Sequence, residues 1–197
     1  MKQYIDNNGE HVLANEPVLR VDNRAFNYGD ALFETIRITN GEAQFVSEHF
    51  NRLLSGMKVL KLNPPGAFSE EFLGSVIKNL AQKNSVDKDG RVRITFYRNT
   101  GGLFTPSDND CAYLLSVTSL EEEGYVLNKK GIMVDMYTEL RKPKNILSSV
   151  KSCSSILYVM AGLYKDQQGL DDCLLVNEND HVLESILSLI HISEPTR

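Results

Sequence analysis

The chain has 197 residues, of which 42% are hydrophobic and 24% charged, with a formal net charge of −5. This length can bury one substantial core or two small ones, and the mixed charge provides no basic face for nucleic acid. Cys111, Cys153 and Cys173 are widely spaced, which fits neither a disulfide framework nor a zinc site. Because Met1–Ile5 begins no apolar signal segment and no apolar run reaches membrane length, we expect a cytoplasmic protein.

A β-hairpin is the first element that the sequence predicts. Asn40-Gly41 joins two extended runs, and this dipeptide tolerates the positive φ of a tight turn. The first run alternates: the even-numbered residues from Leu32 to Ile38 share one face, and Phe33, Thr35 and Arg37 share the other.

Two helices follow, each indicated by apolar residues at helical spacing. Ser47 is placed to cap the first helix, which ends before Pro64-Pro65. Ser69 precedes the second helix, whose apolar stripe is formed by Phe72, Leu73, Val76, Ile77 and Leu80.

A strand from Arg91 to Tyr97 alternates again, with Val92, Ile94 and Phe96 on one face. Arg91 and Arg93 are two residues apart, so both guanidinium groups project from the other face. Neighbouring cations repel unless an anion or carboxylates lie between them, and arginine binds carboxylate or phosphate bidentately. The alternative is that this face is exposed to solvent and the arginines are ordinary surface charges. A further strand is predicted over 112–118.

Residues 119–130 are rich in Glu and Lys, and we expect them to link an α+β domain (1–118) to a second domain (131–186). The second domain is predicted to open with a strand over 131–137, followed by a loop through Pro143.

Lys151 then stands at the entrance to a helix capped by Gly169. That helix has Leu157, Met160, Ala161 and Tyr164 as its candidate core stripe, and a hairpin spans 173–184. A lysine desolvated at a helix entrance could form a Schiff base. Taken by itself, however, this position is explained equally by an ordinary surface lysine.

Taken in order, four segments resemble the class IV family of pyridoxal-phosphate (PLP) enzymes. This family includes branched-chain and D-amino-acid aminotransferases and 4-amino-4-deoxychorismate lyase. The segment 27–37 resembles the one that opens the family's fold, and 48–53 resembles the helix whose arginine holds the cofactor phosphate. Lys151-Ser152 resembles the Schiff-base lysine segment. The segments 171–176 and 181–185 resemble the hairpin that ends in the acid beside the pyridine nitrogen.

This resemblance implies the two-domain α/β fold of class IV aminotransferases (PLP fold type IV), with an incomplete second domain and pyridoxal 5′-phosphate as cofactor. It implies that Lys151 is the Schiff-base lysine and proton shuttle, that Arg52 binds the phosphate and that Glu184 pairs with the pyridine nitrogen. From the residues alone, a surface ion pair of Arg52 with Glu48 is the competing interpretation. The candidates for binding substrate are Phe33, Arg37, Arg91, Arg93 and Arg98, and no metal ligand is expected.

Two segments depart from the family pattern. The family often has an Asn-Tyr pair shortly after the lysine, where this chain has Ser154-Ser155-Ile156. Residues 187–197 resemble the translation of a sequencing-library adapter, so we expect a non-native tail on a parent that is cut at about Ile186. Such a cut is expected to leave Ile132, Val134, Leu174 and Val176 uncovered.

The resemblance implies an enzyme that transfers an amino group between an amino acid and a 2-keto acid, and a homodimer when complete. The alternative is 4-amino-4-deoxychorismate lyase, which releases 4-aminobenzoate and pyruvate, because both reactions use the same lysine chemistry. The Arg98-x-x-Gly101-Gly102 turn leans towards the lyase. For the chain as given, an inactive truncated fragment is a further alternative.

Overall fold

The computed structural model describes residues 2–121 and 129–186. The expected tail and most of the expected linker therefore lie outside the described residues. The chain divides into two compact units, one comprising Met1–Val126 and Ser149–Ser154, the other Leu127–Ser148 and Ser155–Arg197. Among the described helices, none combines the length and the apolar character that crossing a bilayer requires.

The first unit contains a six-stranded antiparallel sheet in the order β2-β1-β6-β5-β3-β4. Its strands are β1 (Tyr4–Asn7), β2 (Glu10–Leu13), β3 (Ala31–Thr39), β4 (Glu42–Ala43), β5 (Gly90–Arg98) and β6 (Cys111–Ser119). Its helices are α1 (Arg24–Tyr28), α2 (Val46–Leu60) and α3 (Glu70–Lys83). The predicted strands and helices of this unit all form, whereas the β1–β2 hairpin and α1 were not predicted.

The core of the first unit lies between one face of the sheet and the helices α2 and α3. Alternation in β3 and β5 is as predicted, because the even-numbered positions of both strands are buried in this core. Its principal members are Leu32, Ile36, Ile38, Leu53, Met57, Leu73, Ile77, Leu80, Val92, Ile94, Phe96 and Leu115. On the opposite face, Arg91 and Arg93 are exposed. The part of this face around Arg91 and Arg93 is therefore polar and open.

The two helix starts differ in how well the sequence locates them. Ser69 caps α3 by accepting a hydrogen bond from the amide of Phe72 at 3.1 Å, as predicted. Ser47 does not cap α2, because the chain turns at Phe45 in the left-handed conformation (φ 55°) and the helix already begins at Val46. The predicted cap is wrong by two residues.

A buried ion network joins α1, β5 and the end of α2. One oxygen of Asp30 accepts from Nε of Arg24 at 2.8 Å and from Nε of Arg98 at 2.9 Å. Arg98 also donates to the carbonyl of Leu60 at 2.7 Å, and Arg24 donates to the carbonyl of Leu103 at 2.6 Å. Burial raises the pKa of Asp30, but the hydrogen bonds and charges of the two arginines outweigh it and hold that pKa below its usual value.

The second unit contains a three-stranded sheet in the order β7-β8-β9. Its elements are β7 (Val134–Lys142), a 3₁₀ turn (Ile146–Ser149), α4 (Ile156–Gln168), β8 (Asp172–Asn177) and β9 (Val182–Ser185). Strands β7 and β8 are parallel, which requires a crossover, and α4 supplies it. Gly169 ends α4 at φ 65°, and β8 and β9 form the predicted hairpin. Strand β7 begins three residues later than predicted and continues through Lys142.

The core of the second unit is small. Tyr137, Ala161, Cys173 and Leu175 are buried, and Leu157, Tyr158 and Tyr164 pack against them. Met160, predicted for the core stripe of α4, is 38% exposed, because Leu157, Ala161 and Tyr164 form the face towards the sheet. Ile132 and Val134 are exposed, as expected for uncovered positions. Leu174 is half-buried and Val176 is buried, so for Val176 the expectation is wrong.

Replacing Asp30 with Asn should destabilise the first unit by about 3 kcal/mol, because removing one partner leaves buried guanidinium groups uncompensated. Since the pKa of Asp30 is lowered on folding, its carboxylate stabilises the fold above the usual pKa, about 4. This stabilisation is lost as the pH falls through the lower folded-state pKa.

Urea denaturation from pH 7 to pH 2 measures both effects. The wild-type chain should lose stability below about pH 4 more steeply than Asp30→Asn. Asp22→Asn is the matched control, because Asp22 forms an exposed pair with Arg20. Identical pH dependence in the wild type and Asp30→Asn would contradict the assignment.

Candidate active site

Lys151 lies on a short extended segment that pairs with the beginning of β3. The amide of Phe33 donates to the carbonyl of Lys151 at 2.9 Å, and the amide of Cys153 donates to the carbonyl of Ala31 at 2.9 Å. Leu32 and Ser152 form the antiparallel bridge between these bonds. The sequence assigned Lys151 to the second domain, but this pairing groups Ser149–Ser154 with the first unit.

The side chain of Phe33 brings two of the predicted site residues together. Lys151 Nζ lies 4.8 Å from the centroid of the Phe33 ring, and Arg93 Cζ lies 3.7 Å from it. Both contacts have cation–π geometry. Burial raises the pKa of the Cys153 thiol, and the charge and hydrogen bond of Arg93 oppose that rise. Arg93 and Lys151 thus both contact the ring of Phe33, and the three side chains form one cluster.

Arg37 and Arg91 extend the same face of the sheet. They are direct cross-strand partners in the register of β3 and β5. Arg37 pairs with the buried carboxylate of Asp89 at 2.9 Å, while Arg91 is exposed. Four of the five predicted substrate-binding residues therefore share this face of the sheet, and of these Arg91 and Arg93 are exposed cations that can attract carboxylates.

Arg98, the fifth predicted substrate-binding residue, lies elsewhere. Its side chain is 7% exposed, and all three of its guanidinium nitrogens donate to protein acceptors: Asp30, the carbonyls of Leu60 and Lys61, and Asn109. Arg98 therefore stabilises the fold instead of presenting donors to a ligand.

Arg52 is held by a buried carboxylate on β3. Its Nε donates to Oε1 of Glu34, and its Nη2 donates to Oε2 of Glu34 at 2.6 Å. Nδ1 of His49 contacts the same Oε2 at 2.8 Å. Burial raises the pKa of Glu34, but these bonds from His49 and Arg52 outweigh it and keep that pKa below its usual value. The predicted alternative, a surface pair of Arg52 with Glu48, does not form.

At Gly56, α2 packs close to the segment that carries Lys151. A Cβ atom at Gly56 would lie 3.4 Å from Leu32 and 3.6 Å from Val150, which directly precedes Lys151. Arg52 lies four residues before Gly56 and hence on the same face of α2. Arg52 contacts Glu34 and Lys151 contacts Phe33, so the two side chains meet adjacent residues of β3 that point to opposite faces of the sheet. That they serve one cofactor remains a prediction.

Glu184 lies near the end of β9 in the second unit. Its Oε1 accepts from Lys142 Nζ at 2.6 Å and from the hydroxyl of Tyr158 at 2.7 Å. Burial lowers the pKa of Lys142, but its hydrogen bonds to Glu184 and Tyr158 outweigh this effect and raise that pKa above its usual value. Lys142 is therefore protonated. Sequence reasoning missed both partners, because Lys142 falls in a predicted loop and Tyr158 is an ordinary apolar-face residue of a helix.

A known protein family matches most of this chain. A sequence profile described as "Amino-transferase class IV" matches residues 31–190. The chain belongs to the class IV aminotransferase family. The predicted resemblance is confirmed, and the profile covers the segments of Glu34, Arg52, Lys151 and Glu184.

Relatives of this class IV chain include aminotransferases of several kinds. A protein from Methanocaldococcus jannaschii, provisionally named a branched-chain-amino-acid aminotransferase, is 26% identical over 185 residues, which are 93% of this chain and 62% of the relative. The structure of the T.th. branched-chain amino acid aminotransferase with pyridoxamine 5′-phosphate has a TM-score of 0.81 at 24% identity, covering 94% of this chain and 62% of that one.

A structure from Legionella pneumophila, provisionally described as a 4-amino-4-deoxychorismate lyase, has a TM-score of 0.75 at 22% identity, covering 88% of this chain and 62% of that one. These likenesses confirm the predicted class IV fold. The chain spans about 62% of the length of the relatives that it matches.

Borohydride reduction of the whole protein with pyridoxal phosphate, followed by peptide mapping, should label Lys151. Its Nζ is placed beside Phe33 and Arg93 in the segment that resembles the family's lysine segment. Lys151→Ala should abolish the label. Labelling of Lys144 or Lys165 in the wild type would contradict the assignment.

Proposed function

We propose that the whole protein is a PLP-dependent aminotransferase, which transfers an amino group between an amino acid and a 2-keto acid. The observation that carries this proposal is the cluster of Lys151, Arg93 and Phe33, in which an amine and a carboxylate-binding cation contact one ring. Family membership and the likeness to the aminotransferase structure with pyridoxamine 5′-phosphate support it.

The residues present fit pyridoxal phosphate. Arg52 is 44% exposed, and its pair with Glu34 occupies only one edge of the guanidinium, so it can also bind a phosphate dianion. Lys151 provides the amine. Glu184 belongs to the second unit, where it pairs with Lys142, and its pairing with the pyridine nitrogen stays a prediction. When bound, the cofactor supplies an electron-accepting ring that stabilises charge at the substrate α-carbon.

The protein's own side chains would divide the remaining tasks. The Lys151 amine would move a proton between the substrate α-carbon and C4′ of the cofactor, because an amine held at the site can act first as base and then as acid. Arg93 would bind the substrate carboxylate and Phe33 would orient it. Arg91 would increase the local concentration of anionic substrates through its charge. Arg37, whose charge is balanced by Asp89, would contribute less.

The lyase alternative loses the feature that favoured it. The turn from Arg98 to Gly102 is explained by packing, because Arg98 pairs with Asp30 and Arg24 donates to the Gly101 carbonyl at 3.0 Å. The turn therefore gives no reason to prefer lyase chemistry.

The proposed activity can be tested with the whole protein and a panel of amino donors with 2-keto acids, and with 4-amino-4-deoxychorismate. We expect amino-group transfer and no release of 4-aminobenzoate. Arg93→Ala should raise KM at least about tenfold, because a charged hydrogen bond to the substrate is lost. Arg20→Ala, which alters an exposed arginine, is the control and should leave KM unchanged. Release of 4-aminobenzoate, or an unchanged KM for Arg93→Ala, would count against the proposal.

We also propose that the whole protein forms a homodimer through an apolar patch on the first unit. Phe26, Leu103 and Phe104 are 78%, 76% and 89% exposed, and Tyr28 contacts Phe104 at a ring distance of 5.6 Å. Arg24 connects the two segments that form this patch: it donates a hydrogen bond to the Leu103 carbonyl, and its Cζ lies 4.9 Å from the centroid of the Tyr28 ring. Exposed, rigid apolar patches of this kind are typical of interfaces.

Light scattering after size exclusion tests the dimer. Phe104→Ser should shift the whole protein towards monomer, because it removes the most exposed aromatic ring of the patch. Leu54→Ser, at an exposed apolar position of α2 in the first unit, is the control and should leave the mass unchanged. A dimer that is unaffected by Phe104→Ser would contradict this interface.

A further inference from the structure

Glu34 is a charged residue in a position that the strand pattern reserves for apolar side chains. It is 1% exposed and lies between Leu32 and Ile36 on the core face of β3. Burying a carboxylate costs several kcal/mol unless partners compensate for it. Its partners are Arg52 and His49, which both lie on α2. An apolar residue at this position would fill the core without the cost of burying a charge. The role of the carboxylate is therefore to be found in its contacts with Arg52 and His49.

The pair between Glu34 and Arg52 leaves a defined part of the guanidinium available. Glu34 takes the edge formed by Nε and Nη2. A guanidinium is planar, and its second edge, between Nη1 and Nη2, can hold another two-oxygen acceptor. Among the described residues, Nη1 of Arg52 makes no hydrogen bond. The carboxylate thus fixes the plane of the group while one donor edge stays open.

His49 restrains the carboxylate in turn. Because Glu34 is ionised and can only accept, Nδ1 of His49 must donate to Oε2 across the 2.8 Å contact. The 3.3 Å contact between Nδ1 and Nη2 of Arg52 is then not a hydrogen bond, since both atoms carry protons. Glu34 therefore accepts three bonds, which hold both of its oxygens in place.

We propose that Glu34 is a positioning residue, which orients the guanidinium of Arg52 so that its open edge binds a phosphate monoester bidentately. This inference rests on the proposed function, in which Arg52 holds the cofactor phosphate. Glu34 itself does not touch the ligand. It acts by removing the rotational freedom that an exposed arginine would otherwise lose on binding.

A positioning role and a purely structural role predict different binding behaviour. If Glu34 only stabilises the fold, its replacement should weaken binding of pyridoxal phosphate and of pyridoxal alike. If it positions Arg52, only the ligand that carries phosphate should lose affinity. The ratio of the two dissociation constants therefore separates the roles.

The experiment titrates the whole protein with pyridoxal phosphate and with pyridoxal, and follows the absorbance of the bound ligand. The variants are Glu34→Gln, Glu34→Asp, Arg52→Ala and the control Glu48→Gln, which removes one exposed charge from α2. We expect Glu34→Gln to lower the preference for the phosphorylated ligand by about tenfold, corresponding to one charged hydrogen bond. Glu48→Gln should not change it.

Glu34→Asp keeps the charge but withdraws the carboxylate by one methylene, so it should lower the preference in the same direction. It decides the question if Glu34→Gln does not fold. The Arg52 Nε–H signal in nitrogen-edited NMR gives a readout without ligand. It should persist in the wild type and in Glu48→Gln and broaden in both Glu34 variants.

The possible failures are distinguishable. If the wild type does not prefer pyridoxal phosphate to pyridoxal, both the phosphate role of Arg52 and this inference are overturned. If the wild type has the preference and Arg52→Ala loses it, but both Glu34 variants keep it, only the positioning role is overturned. An equal loss of affinity for both ligands in the Glu34 variants would assign Glu34 to the fold alone.

Discussion

Two backbone hydrogen bonds at the beginning of β3 determine how the first unit is organised around Lys151. They bind the segment 151–153 to a strand more than a hundred residues earlier in the chain, at an edge that β4 is too short to cover. With this edge occupied, one face of β3 presents Phe33 to Lys151, and the other presents Glu34 to Arg52. A single strand therefore connects both groups to the same rigid sheet.

Alternation made much of this arrangement predictable. The faces of β3 and β5 follow from sequence because one face of the sheet is buried, so a shift by one residue would bury the arginines. Alternation also explains the residue that sequence reasoning misplaced. Arg98 has an even number, like Val92 and Ile94, and therefore lies on the core face of β5. A charged residue at a core-facing strand position indicates a buried partner of opposite charge, and Glu34 is the second example.

The remaining contacts left no local signal. Three extended residues that pair with a distant strand have no periodicity of their own, so the domain assignment of Lys151 could not be predicted from pattern. The partners of Glu184 come from the end of β7 and the first turn of α4, and only the crossover brings them together. The β1–β2 hairpin carries the Asn8-Gly9 turn signal, but its four-residue strands are too short for alternation to be convincing.

The pairing of 151–153 with β3 also has a consequence for biosynthesis. The first unit is discontinuous in sequence: after β6 the chain enters the second unit, and only the six residues Ser149–Ser154 belong to the first unit again. Until the ribosome has released those residues, the amide of Phe33 and the carbonyl of Ala31 lack their native partners, although the rest of the sheet can already form. The nascent protein thus exposes a strand edge during elongation, the state in which chaperones or a neighbouring nascent chain can bind it.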